Sequence, residues 1–356
     1  MLGRRPRPTL LVLVDLIQDV DVLLPVLLAA REAGWLQLKV AVSSWLKHES
    51  PRTERLLAAY GMKFGYARRR DIVDGAAPSL RGIHAVLTAA ESSHPAHAAG
   101  HALVQRATAA GMATYGLQHG LENAGLFGIE SNAGRFASGT VFCWFPEAAV
   151  PPGLAPETRR KLVHIGRPEP PGGWRRDAPA SYDVGVFENL HWSRYDDADR
   201  QGFRDGLTTA VRELPDVHFF LRPHPAGGWG NQLRHELAAF KNITQVPAHD
   251  ERDALDGGGD ILQRVKRVIT TPSTVALDAA LAGKPTALGA AGGTVYDPLP
   301  VLKSSRDWVR FAAGGSFDTS ALDRFSSRVL VSGDSAPRIV ERLRQDLLSP
   351  SLHAHG

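Results

Sequence analysis

The sequence predicts an α/β protein of two Rossmann-like halves, each a parallel sheet flanked by helices. Three observations lead there. Short β-branched apolar runs alternate with segments of helical apolar spacing, the alternation stops at a Pro/Gly-rich stretch over residues 164–181, and it then begins again. At 356 residues the chain is long for one compact domain. Its 43% hydrophobic and 22% charged content is that of a globular protein with a full core.

In the first half, "TLLVLVD" (9–15) is a buried strand by its length and branching, and "VDVLLPVLLAAREAG" (20–34) has helical spacing ending at Gly34. "LKVAVSSW" (38–45) repeats the strand signal. "SPRTERLLAAYG" (50–61) sets Ser as N-cap, Pro at the first helical position and Gly beyond the end. "IHAVLTAAE" (83–91), "HAAGHALVQRATAAG" (97–111) and "MATYGLQHG" (112–120) continue the pattern. In the second half come "YDVGVFE" (182–188), a helix from about Asp197 to Glu213, "VHFFLRP" (217–223), "NITQVP" (242–247), "RVKRVITT" (264–271) and "STVALDAALAG" (273–283). "SAPRIVERLRQDLL" (335–348) reads as a closing amphipathic helix. The expected organisation is a domain over 1–165, a linker over 166–181, a second domain over 182–335, and a closing helix and tail over 336–356.

Composition narrows the function classes. The single cysteine, Cys143, excludes an intramolecular disulfide and a multi-cysteine metal site, which suits a reducing compartment. The apolar stretch around Leu10 to Ala30 is broken by Asp15, Gln18, Asp19 and Asp21, so it reads as strand then helix, not as a signal peptide or membrane span. A cytoplasmic protein is expected. The net charge of +4 carries no helix-turn-helix, zinc-finger or RNA-motif signature with it, so no nucleic-acid partner is expected. Anionic small molecules or an anionic membrane surface fit that charge as well.

In parallel α/β sheets ligands bind beyond the carboxyl ends of the strands, so polar residues there are the candidates. Arg222 and His224 follow "VHFFL", and the flanking Pro223 and Pro225 stiffen their loop. A guanidinium grips phosphate through forked charge-assisted bonds, and an imidazole adds another donor. The plainer reading is a strand-ending turn. "ITTPSTVALDAALAG" runs a strand directly into a helix, where Ser273 and Thr274 offer hydroxyls beside the positive end of the helix dipole. There the plainer reading is an ordinary N-cap. Taken together the two strand ends suggest a diphosphate site, with Thr271 and Asp278 close to the ribose. Asn189 and His191, in "FENLHW", end another strand of the same half and face the same donor.

In the first half, His119 of "TYGLQHGLENAG" lies between a strand and glycines, and its near-neutral unperturbed pKa suits a general base. Glu122 would orient it or replace it. Glu91, after a strand in "AAESSHPAH", and Asp15, closing the first strand, are the other candidate bases.

With these residues the chain resembles a GT-B type glycosyltransferase, which implies two Rossmann-like domains facing an interdomain cleft, the nucleotide held by the second and the acceptor by the first. More narrowly, "RPHP" followed by "TTPSTVALDAALAGKP" resembles the donor half of bacterial surface-polysaccharide transferases that use cytidine nucleotides: CDP-glycerol glycerophosphotransferases and capsule sialyl- and Kdo-transferases. The resemblance implies that His224, Pro225, Ser273 and Thr274 bind the nucleotide and that His119, before Gly120, is the base. The chain departs from the glycerophosphotransferases where it has Thr-Thr-Pro-Ser-Thr, and where His119 continues into Gly-Leu-Glu-Asn.

The expected function is metal-independent transfer of a sugar or polyol-phosphate unit from a CMP- or CDP-linked donor to a growing capsule or cell-surface polysaccharide. No cofactor is expected beyond the nucleotide-linked donor. The acceptor would be an oligosaccharide or lipid-linked glycan, met by peripheral association with the inner membrane. The alternatives are a UDP-sugar transferase, a UDP-sugar 2-epimerase, and a non-catalytic sugar-nucleotide or glycan-binding protein.

Overall fold

The structure, a computed structural model, describes residues 7–126, 135–173, 179–224, 229–246 and 258–348. The chain divides into two compact units, one of residues 1–171 with 330–356 and the other of residues 172–329.

Unit 1 runs β1 (Thr9–Val14), α1 (Asp19–Ala33), β2 (Gln37–Ser43), α2 (Leu46–Glu49), α3 (Pro51–Ala59), β3 (Phe64–Ala67), α4 (Arg69–Val73), β4 (Ala85–Thr88), α5 (Ala98–Ala109), β5 (Ala113–Leu117), β6 (Thr140–Cys143), α6 (Pro156–Lys161) and β7 (Leu162–His164). Among the described residues these strands form one sheet of order β3-β2-β1-β4-β5-β6-β7. Every neighbouring pair is parallel. A parallel sheet covered by helices on both faces needs strands apolar on both sides, and Leu10 to Val14 are all at 0% exposure. Helix α5 comes unusually close to the end of β4, because a Cβ on Gly100 would lie 2.0 Å from the Ala90 carbonyl oxygen. Only glycine permits that approach.

Unit 2 runs β8 (Tyr182–Glu188), α7 (Asp197–Glu213), β9 (Phe219–Pro223), α8 (Gly230–Leu237), β10 (Ile243–Gln245), α9 (Gly258–Gln263), β11 (Val265–Thr270), α10 (Thr274–Leu281), β12 (Thr286–Leu288), α11 (Ser305–Ala312) and α12 (Ser320–Val329). Its described strands form a second all-parallel sheet, of order β10-β9-β8-β11-β12. Its core packs Phe203 edge-to-face on Trp308, with ring centroids 4.9 Å apart, among Val184, Val186, Phe219 and Leu221. Gly206 of α7 makes room for that indole, since a Cβ there would stand 2.5 Å from Trp308 Nε1.

The chain then returns to unit 1 as α13 (Ala336–Leu348), which packs against α1. On the way the Val331 amide donates to the Trp144 carbonyl at 2.9 Å, and from β5 the Tyr115 hydroxyl donates to Asp346 at 3.1 Å. Among the described residues no helix is long and apolar enough to cross a membrane.

The two sheets share one topological feature. In unit 1 the chain steps outward from β1 to β3 and returns to β4, on the other side of β1. In unit 2 it steps from β8 to β10 and returns to β11, on the other side of β8. The crevice at such a switch point is where open α/β sheets bind ligands. In unit 1 the residues just past it are Asp15 and Ala89 to Glu91, and in unit 2 they are Asn189 and Thr271 to Ser273.

Candidate functional site

In unit 2 the register sets Arg222, Phe187 and Thr270 in one row across β9, β8 and β11, so the loops that follow leave the sheet at one level. Two of these loops are stitched together. The Asn189 amide donates to Thr271 Oγ1 at 3.0 Å, Thr271 Oγ1 donates to Asn189 Oδ1 at 2.5 Å, and Asn189 Nδ2 donates to the Pro272 carbonyl at 3.1 Å. Both side chains are buried and turned to each other. Their role in the geometry is to hold the loops, where the sequence suggested ribose contacts.

Ser273 precedes the first residue of α10 in an extended conformation, and its side chain makes no cap bond. Its hydroxyl instead pairs with Thr270 Oγ1 at 3.1 Å. The ordinary N-cap reading therefore does not describe the Ser273 side chain, although the Ser273 carbonyl accepts the Ala276 amide at 3.2 Å. Asp278 is buried on the body of α10, one turn past Thr274. Pro225 lies outside the described residues.

At the end of β9 the His224 ring stands 4.7 Å from that of His191, tilted by 32°. Burial, then His191, then Arg222 push the His224 pKa down to about 4, and burial also lowers that of His191. Both imidazoles are consequently neutral at pH 7, leaving Arg222 as the cation. His191 Nδ1 is buried without a hydrogen-bond partner in the structure, an uncommon state for a buried nitrogen. Arg222, His224, His191, Ser273 and Thr274 thus lie at the carboxyl ends of three neighbouring strands, β9, β8 and β11. That collection of donors, beside the N-terminal end of an eight-residue helix, can neutralise a diphosphate.

In unit 1 the strand ends are polar as well, but the residues are used differently. Asp15 is fully buried, and Arg69 donates to both of its oxygens, at 2.8 and 3.3 Å. Arg69 lies over the Trp45 ring at 3.9 Å, and Trp45 Nε1 donates to the Asp15 carbonyl at 2.9 Å. Four residues on, Asp19 Oδ2 accepts the amides of Asp15 and Leu16 at 3.0 and 2.8 Å. Burial drives the Asp19 pKa up to about 7.

Glu91 is likewise at 0% exposure and fully engaged. Its Oε1 accepts the Ala137 amide at 2.8 Å and lies 2.8 Å from His101 Nδ1, while its Oε2 accepts the Ser138 hydroxyl at 2.7 Å. It ties the 135–138 segment to the end of β4. That geometry makes it an anchor in this structure.

His119, the other candidate base, is braced on both sides. Its backbone amide donates to Asn123 Oδ1 at 3.2 Å, and its Nδ1 lies 3.1 Å from the Ala89 carbonyl oxygen. A carbonyl only accepts, so Nδ1 carries the proton and Nε2 keeps the lone pair. Burial lowers its pKa to about 4, so the ring is neutral at pH 7. Glu122 is half-buried in the same turn. The His97 ring meets His119 edge-on at 5.2 Å, and His97 Nδ1 lies 2.7 Å from Ser92 Oγ. The sequence reading missed His97 and His101, although "HPAHAAGH" spaces histidines as one helix face does. Among the described residues no group of three or more His, Cys, Asp or Glu is placed to hold a metal ion.

The chain matches no protein-family model and no curated protein sequence. It does match solved structures. A putative UDP-N-acetylglucosamine 2-epimerase from Listeria monocytogenes is 12% identical and superposes with a TM-score of 0.71 over 98% of each chain. MnaA of S. aureus, solved with UDP, is 13% identical with a TM-score of 0.67, covering 98% of this chain and all of the other. A glycosyltransferase from Rickettsia africae is 10% identical with a TM-score of 0.56, covering 98% of this chain and all of the other. The chain therefore has the GT-B-like fold of two parallel-sheet α/β domains that these proteins share. The expectation of a cytidine-nucleotide donor feeding a surface polysaccharide is corrected by these matches, which favour the UDP-sugar 2-epimerase alternative. The physical reason is plain. In the sequence Arg222, His224, Ser273 and Thr274 read as donors to phosphate oxygens, and a phosphate clamp carries no information about which pyrimidine follows.

Proposed function

We propose that the protein is an enzyme acting on a UDP-linked sugar, as a 2-epimerase. The observation that supports this most is the superposition along nearly the whole chain on 2-epimerases of UDP-N-acetylglucosamine, joined to a set of phosphate donors at the switch point of unit 2. In this reading Arg222, His224, His191, Ser273 and the start of α10 hold the diphosphate. Fixed donors there stabilise negative charge without reorganising. Inverting a carbon that bears hydrogen requires its C–H bond to be broken and remade on the other face, so a proton acceptor and a proton donor are needed. His119 takes the acceptor role, because its tautomer is fixed with Nε2 unprotonated. A second reading, transfer to an acceptor hydroxyl with His119 taking that proton, is favoured by the match to the R. africae glycosyltransferase.

The test is incubation with UDP-N-acetylglucosamine in D2O, followed by NMR. The expected product is the C2 epimer with deuterium at C2, and His119→Gln lowers its rate by about 10²- to 10⁴-fold while UDP still binds. Release of UDP only when an acceptor is added would establish the transferase instead. Nucleotide binding with no chemistry would refute both.

A further inference from the structure

We propose that Trp192 is the stacking platform for the uracil ring of the UDP-sugar, an inference that rests on the diphosphate reading of unit 2. Large apolar side chains are seldom left exposed in the described residues, and Trp192, at 40%, is the one such case in unit 2. A single exposed aromatic is unremarkable by itself, but three further observations mark this one.

The first is its place. Trp192 sits in the loop after β8, the strand at the switch point. Its ring lies 5.9 Å from that of His191, which lies 4.7 Å from that of His224. The exposed ring therefore stands next to the imidazoles that the diphosphate reading sets at the phosphates. The second is its rigidity. The Trp192 amide donates to the Asn189 carbonyl at 3.2 Å, and the Trp192 carbonyl accepts the Tyr195 amide at 3.2 Å and Arg200 Nη2 at 3.3 Å. Arg200 Nε also holds the Leu190 carbonyl at 3.0 Å, and Arg194 Nη2 ties the loop to Pro272 at 2.6 Å. An exposed ring on a fixed backbone loses little freedom when a flat partner covers it. The third is chemistry. Every base has a π-face, so an indole accepts uracil through area and dispersion without reading its edges. That matches a phosphate clamp equally blind to the base.

Calorimetry on the full chain tests this with UDP and inorganic pyrophosphate as ligands. Trp192→Ala should weaken UDP binding by about tenfold or more and leave pyrophosphate binding unchanged, while Trp192→Phe recovers most of the UDP affinity. The side chain is exposed, so an unchanged melting temperature verifies the fold of each variant. An alanine variant that binds UDP as tightly as the parent overturns the platform, as does one that loses UDP and pyrophosphate to the same degree. Parent protein that binds pyrophosphate but not UDP also overturns the platform, yet leaves the diphosphate site standing. Parent protein that binds neither overturns the UDP-sugar reading and the platform with it.

Discussion

Replacing His224 by glutamine should remove a pH dependence from UDP binding, and the structure sets its size and sign. In the free protein the His224 pKa is held at about 4 by burial, His191 and Arg222, so the ring is neutral at pH 7. A phosphate charge about 4 Å away, at the effective dielectric near 20 of a protein surface, favours the imidazolium by about 4 kcal/mol. That corresponds to roughly 3 pKa units and places the ring near pH 7 in the complex. The bound form therefore carries the higher pKa. Affinity rises as pH falls through the bound value, and levels off once the free value is passed. Between pH 8 and pH 5 the gain approaches 100-fold on these estimates. Calorimetric titration across that range, in buffers of different ionisation enthalpy, measures both the slope and the proton taken up with each UDP. UDP's own terminal phosphate titrates in the same window, but it contributes equally to parent and variant. The quantity of interest is the difference between them. Parallel affinity profiles for parent and His224→Gln would refute the placing of a phosphate beside His224.

Two further outcomes concern stability. Asp19, buried and raised from 3.8 to about 7, favours the protonated folded state. Its contribution is full below the unfolded value and is lost as pH rises through the folded one, a loss of about 4 kcal/mol by pH 8 as an upper figure. Asp19→Asn keeps an acceptor for the Asp15 and Leu16 amides, so its melting temperature should fall less steeply than the parent's between pH 5 and pH 8. Parallel curves would remove the premise. Gly206→Ala drives a methyl to 2.5 Å from Trp308 Nε1 and should destabilise unit 2 by about 1–3 kcal/mol. Gly202→Ala, on the same helix with nothing within 4 Å, should be neutral or mildly stabilising in the same thermal melts.

The long apolar strands and their helices were legible because burial on both faces writes itself as a continuous run, as in Leu10 to Val14. Strands β3, β6, β7 and β12, of three or four residues each, went unread, whereas β4 and β10, as short, were read. At the site, Arg222 with His224, Ser273 with Thr274, and His119 drew notice in the sequence by their places after strands. The fate of the carboxylates was not. Asp15 meets its arginine 54 positions later, and Glu91 meets Ser138 47 positions later, and no local pattern announces such partners. A strand-end carboxylate reads alike as a base or as an anchor until the residues that occupy its lone pairs are known. The mutual bond of Asn189 and Thr271 was hidden for the same reason, since 82 residues separate the two side chains.

The return of α13 to unit 1 bears on the order in which the molecule is completed. Unit 2 is an uninterrupted length of chain, whereas unit 1 is broken by it and takes its last helix only after unit 2 has been made. During synthesis the first sheet emerges early but waits, with the α1 surface that α13 covers still open to water, while the second sheet finishes its contacts. Translation order and completion order are therefore reversed. Damage to residues 336–348 is felt not by the neighbouring sheet in sequence but by the one that begins at Thr9, through α1 and the Tyr115 hydroxyl.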